Sequence, residues 1–312
     1  IQNPECGWFY RASAEDFEKI PGRPVAFWLS DSAKRCFEKF PTFYDMAFAC
    51  QGMATTDNNR FVREWSEINL ANIGFGCASA DDALVTRLKW FPMDKGGGYR
   101  RWYGNNFAMV NWEHDGKEIR ENIVRKYPYL KGNPDFVAKN PSKYFLPGVT
   151  WGKITSGLFS ARFTPKGSIF SDAGMKAFPR EEGNSSQPIL GLLNSKVALY
   201  FLSAFSQTMN FEQGNISRIP FPDVTHEHLK SLISIAMSDW DSTETSWDFT
   251  MLPLLQPDHR AETLEASYAN LRADWQSMTD EMLALEEENN RVFISAFGLQ
   301  DELTPEVPLN EI

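Results

Sequence analysis

Leu264, Tyr268, Leu271, Trp275, Met278, Met282, Leu285 and Asn289 succeed one another at alternating spacings of four and three residues. A seam of that period, held over three and a half heptads, is compatible only with helix. It predicts one long helix over about 260–296, stopped at Gly298, a natural left-handed terminus. The stripe must be covered, and packing on the rest of the chain or on another helix is expected rather than a free coiled coil. A shorter helix is predicted over 225–238, with Thr225 as its cap and Glu227 in the first turn.

The remainder has a different rhythm. Between 45 and 180 short apolar runs alternate with turn clusters such as Asp57-Asn58-Asn59, Lys95-Gly96-Gly97-Gly98, Gly104-Asn105-Asn106 and Asp115-Gly116. That is the punctuation of hairpins and short strands. Phe107–Trp112 reads as a strand entering a tight turn, with helices around 60–67 and 116–127. Before this region, Val25–Leu29 reads as strand-like, and Ser30 or Asp31 caps a helix over 32–40 that Pro41 ends. After it, 188–206 is apolar nearly all round, the mark of a helix buried against a sheet. Residues 208–222 read as extended chain. The fold class expected is α+β: a β-rich domain with packed helices, followed by a helical tail. The divisions are a leading segment 1–44, a β-rich domain 45–222 and an acidic helical region 223–312.

Charge is segregated. The whole chain of 312 residues carries −10, yet residues 87–180 carry +10 and residues 221–312 carry −15. A basic middle suggests a surface that faces a polyanion. The composition, 42% hydrophobic and 14% aromatic, excludes global disorder. No run of about 18 apolar residues is present, so no membrane-spanning helix is expected. The first residue is Ile1, and the chain reads as a piece of a longer polypeptide. Cys6, Cys36, Cys50 and Cys77 lack paired spacing, which argues against zinc and disulfides and fits a reducing cytoplasm.

No GxSxG, HExxH or Cys–His pairing occurs, and no reaction centre is expected in these residues. The strongest signal is Arg100-Arg101-Trp102-Tyr103-Gly104-Asn105-Asn106-Phe107. Guanidinium groups serve phosphate or guanine, asparagine serves adenine edges, and rings stack on bases. The alternative is a hairpin with cation–π packing. Lys95, Lys153, Arg162 and Lys166 add charge, beside the small polar pair Thr155-Ser156. The Thr55–Phe61 loop is a second polar cluster, readable either as an Asx turn or as a phosphate or base contact.

Several of these phrases resemble one family in their order along the chain. They are Thr55-Thr56-Asp57-Asn58-Asn59-Arg60-Phe61-Val62-Arg63-Glu64-Trp65, Lys95 to Asn105, Asn111 to Gly116, Trp151 to Arg162, Gly191 to Lys196 with Gly214 to Pro220, and Glu286 to Arg291. The family is PglX, the adenine-specific DNA methyltransferases of BREX phage defence, related to type IIG restriction–modification enzymes. The resemblance implies that the chain is the C-terminal specificity portion, with 45–222 as target-recognition domain. Family members bind S-adenosylmethionine and hold adenine with an Asn-Pro-Pro-Tyr motif. Here Asn133-Pro134-Asp135 and Asn140-Pro141-Ser142 lack that pattern, and Thr55-Thr56 replaces Thr-Gly. The resemblance therefore implies no catalytic, cofactor or metal residues in this chain, and S-adenosylmethionine bound elsewhere in the full-length enzyme. It implies double-stranded DNA and other phage-defence proteins as partners, and no membrane.

On this reading Arg60, Lys95, Arg100, Arg101, Lys153 and Arg162 contact phosphate or guanine. Thr55, Thr56, Asn58, Tyr103, Asn105, Asn106, Thr155 and Ser156 read bases or fix position. Reversing Arg100 and Arg101 to Glu is expected to abolish duplex binding. Two other classes stay open. One is a protein-docking module acting through the C-terminal helices. The other is an aromatic-rich carbohydrate-binding domain, for which clustered Arg and Lys are unnecessary.

Overall fold

In the computed structural model, which describes residues 13–155, 157–181, 183–206, 210–224 and 227–312, the middle of the chain forms two small sheets. Strands β1 (Ala47–Cys50), β2 (Val62–Glu64), β3 (Trp90–Asp94), β4 (Ala108–Asn111), β5 (Gly148–Gly152), β6 (Ala161–Thr164), β7 (Ile169–Phe170) and β8 (Gly174–Pro179) carry them. The first sheet is antiparallel in the order β1-β8-β5-β6. The second runs β2-β4-β3-β7, with β3 and β7 parallel. The architecture is mixed α+β, as its sequence implies.

The first sheet is the middle layer, and the period of two along β8 shows why. Met175 and Ala177 face a core shared with Val149 and Trp151 of β5 and with the helices. Phe178 faces a second core, which holds Phe91 of β3, Val110 of β4 and Phe170 of β7. Residues from all three sequence divisions enter the helical core, among them Ile20, Leu29, Trp151, Phe201, Leu229 and Phe293.

Six helices are used below: α1 (Asp31–Lys39), α2 (Glu113–Lys126), α3 (Gln187–Leu193), α4 (Lys196–Phe205), α5 (Leu229–Asp241) and α6 (Leu264–Phe297). Ser30 caps α1 by accepting from the Ala33 amide, and Gly298 ends α6 in the left-handed region. The heptad prediction for α6 therefore holds, but its seam is covered continuously only towards the C-terminus, with Leu271 alone fully buried in the first half. Met282 and Leu285 pack against the helical core and Asn289 is fully buried, whereas Leu264, Tyr268 and Trp275 stay exposed. The Asn289 amide donates to the Gly191 carbonyl of α3 at 3.0 Å, and Asn290 accepts from the Lys196 amide of α4 at 2.9 Å. A Cβ at Gly191 would lie 2.9 Å from Leu229 and 3.1 Å from Asn289, so glycine is what lets three helices meet there.

Several sequence expectations are corrected. The run 188–206 is two helices bent by 68° at Asn194-Ser195. Ser195 recaps the chain, accepting from the Ala198 amide. Asn194 acts as a strand fragment: its side chain accepts from the Ala161 amide and donates to the Ala161 carbonyl, both at 2.9 Å. Two small polar residues in an apolar run break a helix when each has backbone groups to satisfy. Replacing Asn194 with alanine removes its bond to the Ala161 amide and leaves the Ala161 carbonyl with the Trp102 amide, and we expect a loss of roughly 1–3 kcal/mol in urea unfolding.

The helix expected at 60–67 is instead one turn over Asn58–Phe61 followed by β2, because Val62 to Glu64 find β4 as a partner. Val25–Leu29 forms turns, not a strand, and Gln213–Ile216 interrupts 208–222 with a helical turn. The regular part of α2 follows His114, Asp115 and Gly116, all with positive φ. The described part of the second tail helix is α5, and its expected cap Thr225 lies outside the described residues. No single helix among the described residues is long and apolar enough to cross a membrane.

Candidate nucleic-acid interface

The sequence candidates fall into four places, not one patch. The first is the Thr55–Arg60 turn. Asp57 caps the short helix through the Arg60 amide, and the Thr55 hydroxyl, itself buried, donates to Asn58 at 2.6 Å. Thr56 adopts φ +63, costly for a β-branched residue. Two groups from α2 hold it there: Asn122 Nδ2 donates to its hydroxyl and Lys126 Nζ to its carbonyl, each at 2.9 Å. Asn58 and Arg60 remain exposed, with Arg60 paired to Glu118 at 3.0 Å. The tip is therefore a rigid polar projection.

The second place is a glycine-rich edge. Lys95 and Gly96–Gly98 lie against the Gly152–Thr155 loop, where Gly96 packs on Ala173 and Gly152. Gly96 and Gly97 need φ of +87 and +136, and a side chain at Gly97 would strike Asn105. Asn105 closes the loop by donating to the Gly98 carbonyl at 2.9 Å. Lys153 pairs with Glu212 at 2.8 Å, and Thr155 accepts from the Gly157 amide. Lys95 has no acid within ion-pair distance among the described residues and is partly exposed. Ser156 lies outside the described residues.

The third place is internal, and it revises the strongest sequence signal. Arg100 to Tyr103 run beside β6 and are covered by α5, α6 and the C-terminal residues. Arg100 pairs with Asp239 at 2.6 Å and lies over the Trp240 ring at 5.0 Å. Arg101 pairs with Glu286 in the interior, and the Trp102 indole donates to the same carboxylate at 2.5 Å. Arg162 is buried, and burial pulls its guanidinium down to about 10, although Asp94 acts in the opposite sense. The acidic tail thus neutralises part of the basic segment from within. Reversing Arg100 and Arg101 would place carboxylates against carboxylates, so the variant tests folding before it tests any duplex.

The fourth place is a cavity of about 510 Å³ beside the second sheet, where Tyr103 and Asn106 share a wall with Phe75 and Trp247. Burial pushes the Tyr103 hydroxyl up to about 12. The buried Asp94 carboxylate forms part of its lining, satisfied by Lys176 at 3.0 Å, Ser168 at 2.8 Å and Thr164 at 3.3 Å.

Against known proteins, this chain is 35% identical over 98% of its length to the adenine-specific methyltransferase PglX of Lacticaseibacillus casei (strain Zhang). It is 31% identical over 95% of its length to the adenine-specific methyltransferase BrxX of Escherichia coli O9:H4 (strain HS). The chain is homologous to part of a PglX-type methyltransferase. It spans 26% and 23% of those two relatives. No family model matches. A solved structure of the type IIL restriction-modification enzyme MmeI in complex with DNA aligns with 82% of this chain and 36% of that one, at 13% identity and a TM-score of 0.35. A likeness that loose carries no argument here.

The sequence alone did not reveal the counter-ions Asp239, Glu286 and Glu311, or the supports Asn122 and Lys126. Nor did it reveal the cavity residues Phe75, Trp247 and Asp248. Glu286 had a visible signal, since it sits next to Leu285 on a helix that must pack. Trp247 had none, lying in a polar loop. The Gly96–Gly98 loop leads from β3 towards β4 and not into a helix, the arrangement that holds a dinucleotide or S-adenosylmethionine, so its residues do not fit that cofactor.

Proposed function

We propose that the chain is the DNA-recognition segment of an S-adenosylmethionine-dependent N6-adenine methyltransferase in BREX phage defence. The supporting observation is that nearly all of it matches adenine-specific methyltransferases while its own sequence holds no Asn-Pro-Pro-Tyr and no cofactor-binding glycine turn. The reaction belongs to the remainder of the longer protein, and this segment fixes register. A methyltransferase that extrudes a base needs such a second grip on the duplex.

Two exposed groups serve that role. The Thr55–Arg60 tip presents Asn58 and Arg60 on a pinned backbone. The glycine edge presents Lys95 beside open amides, where a phosphate can approach closely. Arg101 and Arg162 act inside, holding Trp102 and β6 in place under that edge.

Fluorescence anisotropy with a labelled random-sequence duplex tests this. Raising salt from about 50 to about 200 mM is expected to weaken binding roughly tenfold or more. The folded Arg60→Glu/Lys95→Glu variant is expected to bind weakly at both salts. Unchanged affinity in that variant would remove the assignment of these two groups.

A second reading rests on the uncovered start of α6. Leu264, Tyr268 and Trp275 are exposed there, together with Met251, Leu252 and Leu255 of the preceding turns. A single-protein surface seldom gathers that many large apolar side chains without a partner. A phage-defence protein partner fits this end, and polar substitutions at Tyr268 and Trp275 would abolish its binding while leaving duplex affinity unchanged.

A further inference from the structure

The fourth place, the cavity, lacks a role in register. Its volume of about 510 Å³ is that of a small-molecule site. One wall is aromatic: the Phe75 and Trp247 ring centroids lie 5.4 Å apart at 49°, and Phe75 is 40% exposed. Both rings line the cavity, where a third planar group can meet them. In the same lining the Asn106 amide donates to the Tyr103 hydroxyl. An amide has one acceptor and two donors, so that bond leaves a carbonyl and an N–H side by side. This pair matches N6 and N7 of adenine. Asp248 offers a further acceptor, and exposed Lys166 stands at the rim with no acid within ion-pair distance among the described residues. The floor does not repel a nucleotide, because Asp94 is already bonded to Lys176, Ser168 and Thr164.

We propose that this cavity binds a purine nucleotide, adenine above others, stacked on Phe75 and Trp247, read by Asn106 and held at its phosphate by Lys166. The base arrives either on a free nucleotide or swung out of a duplex. The inference goes beyond the recognition reading, because a free nucleotide tests it without any duplex.

Isothermal titration calorimetry of the whole chain with adenosine 5′-monophosphate is the first arm. Binding is expected for this nucleotide and not for ribose 5-phosphate. Trp247→Ala is expected to weaken it about tenfold, the size of a lost base stack. Lys166→Ala, at an exposed site, is expected to weaken the nucleotide and leave adenosine unaffected. The second arm adds the nucleotide to a chain–duplex complex in the anisotropy assay. Displacement of the duplex shows that an extruded base fills the cavity; nucleotide binding without displacement shows a separate small-molecule site. No heat from the nucleotide up to about 5 mM, or equal binding by the folded Trp247→Ala and Lys166→Ala variants, overturns the proposal.

Discussion

Replacing Arg101 with alanine is expected to lower the unfolding free energy by about 3–5 kcal/mol in urea titrations at pH 7. Glu286 is 4% exposed, and its charge is answered by Arg101 and by the Trp102 indole. Removing the cation leaves the carboxylate in the core without a counter-charge, which costs more than the pair itself contributes. Protonation limits the damage. Burial already pushes the Glu286 carboxyl from 4.5 up to about 7, with Arg101 and Trp102 only partly restraining it. The loss therefore belongs at the lower end, near ~3 kcal/mol.

The same shift gives a pH dependence with a definite sign. A carboxyl whose pKa is higher folded than unfolded holds its proton more tightly in the folded state. Its contribution is complete below pH 4.5 and lost as pH rises through about 7. The shift corresponds to roughly 3 kcal/mol. Stability of the parent should thus fall across this window relative to Glu286→Gln, which keeps an acceptor for Trp102 and cannot titrate. Parallel curves for the two proteins would show that the Arg101 pairing, not burial, governs the group.

Asp94→Ala is expected to be as severe, about 3–5 kcal/mol, read from the same unfolding curves. Lys176 is fully buried between the two sheets, and Asp94 is its only ion-pair partner among the described residues. Thr164 and Ser168 also lose their acceptor. Asp94→Asn deletes the charge and keeps a single acceptor oxygen, enough for one of the two hydroxyls, so its stability should fall between those of the parent and the alanine variant. A loss below about 1 kcal/mol for alanine would mean that water reaches Lys176 in the variant.

What could be read from the sequence was whatever depends on near neighbours. The period of α6, its glycine stop, the Ser30 cap and the Phe107–Trp112 strand are all local, and each stands in the structure with small changes of boundary. The break at Asn194-Ser195 was missed because its cause is Ala161, thirty-three residues away. The arginines were misjudged for the same reason. Arg100 and Arg101 beside two aromatic rings have the residue types of a nucleic-acid surface, and their acids come from positions 239, 286 and 311. A single chain reveals its charges in sequence order, but only folding shows which of them meet. The glycine edge stood in between: Lys95-Gly-Gly-Gly was visible, whereas its neighbour loop at Gly152 was not.

The long helix has one further consequence. With 34 residues α6 extends roughly 50 Å, and its two halves sit in different surroundings. The inner half is locked by Asn289 and Asn290 into the meeting point of α3 and α4, inside the helical core. The outer half rests on the turns at 253–259, through Leu271, His259 and the Asp274 carboxylate that faces His259. The outer half can therefore change in sequence at little cost to folding, while the inner half keeps the frame constant. A single rod of this kind separates the residues that fix the fold from those that are free to vary.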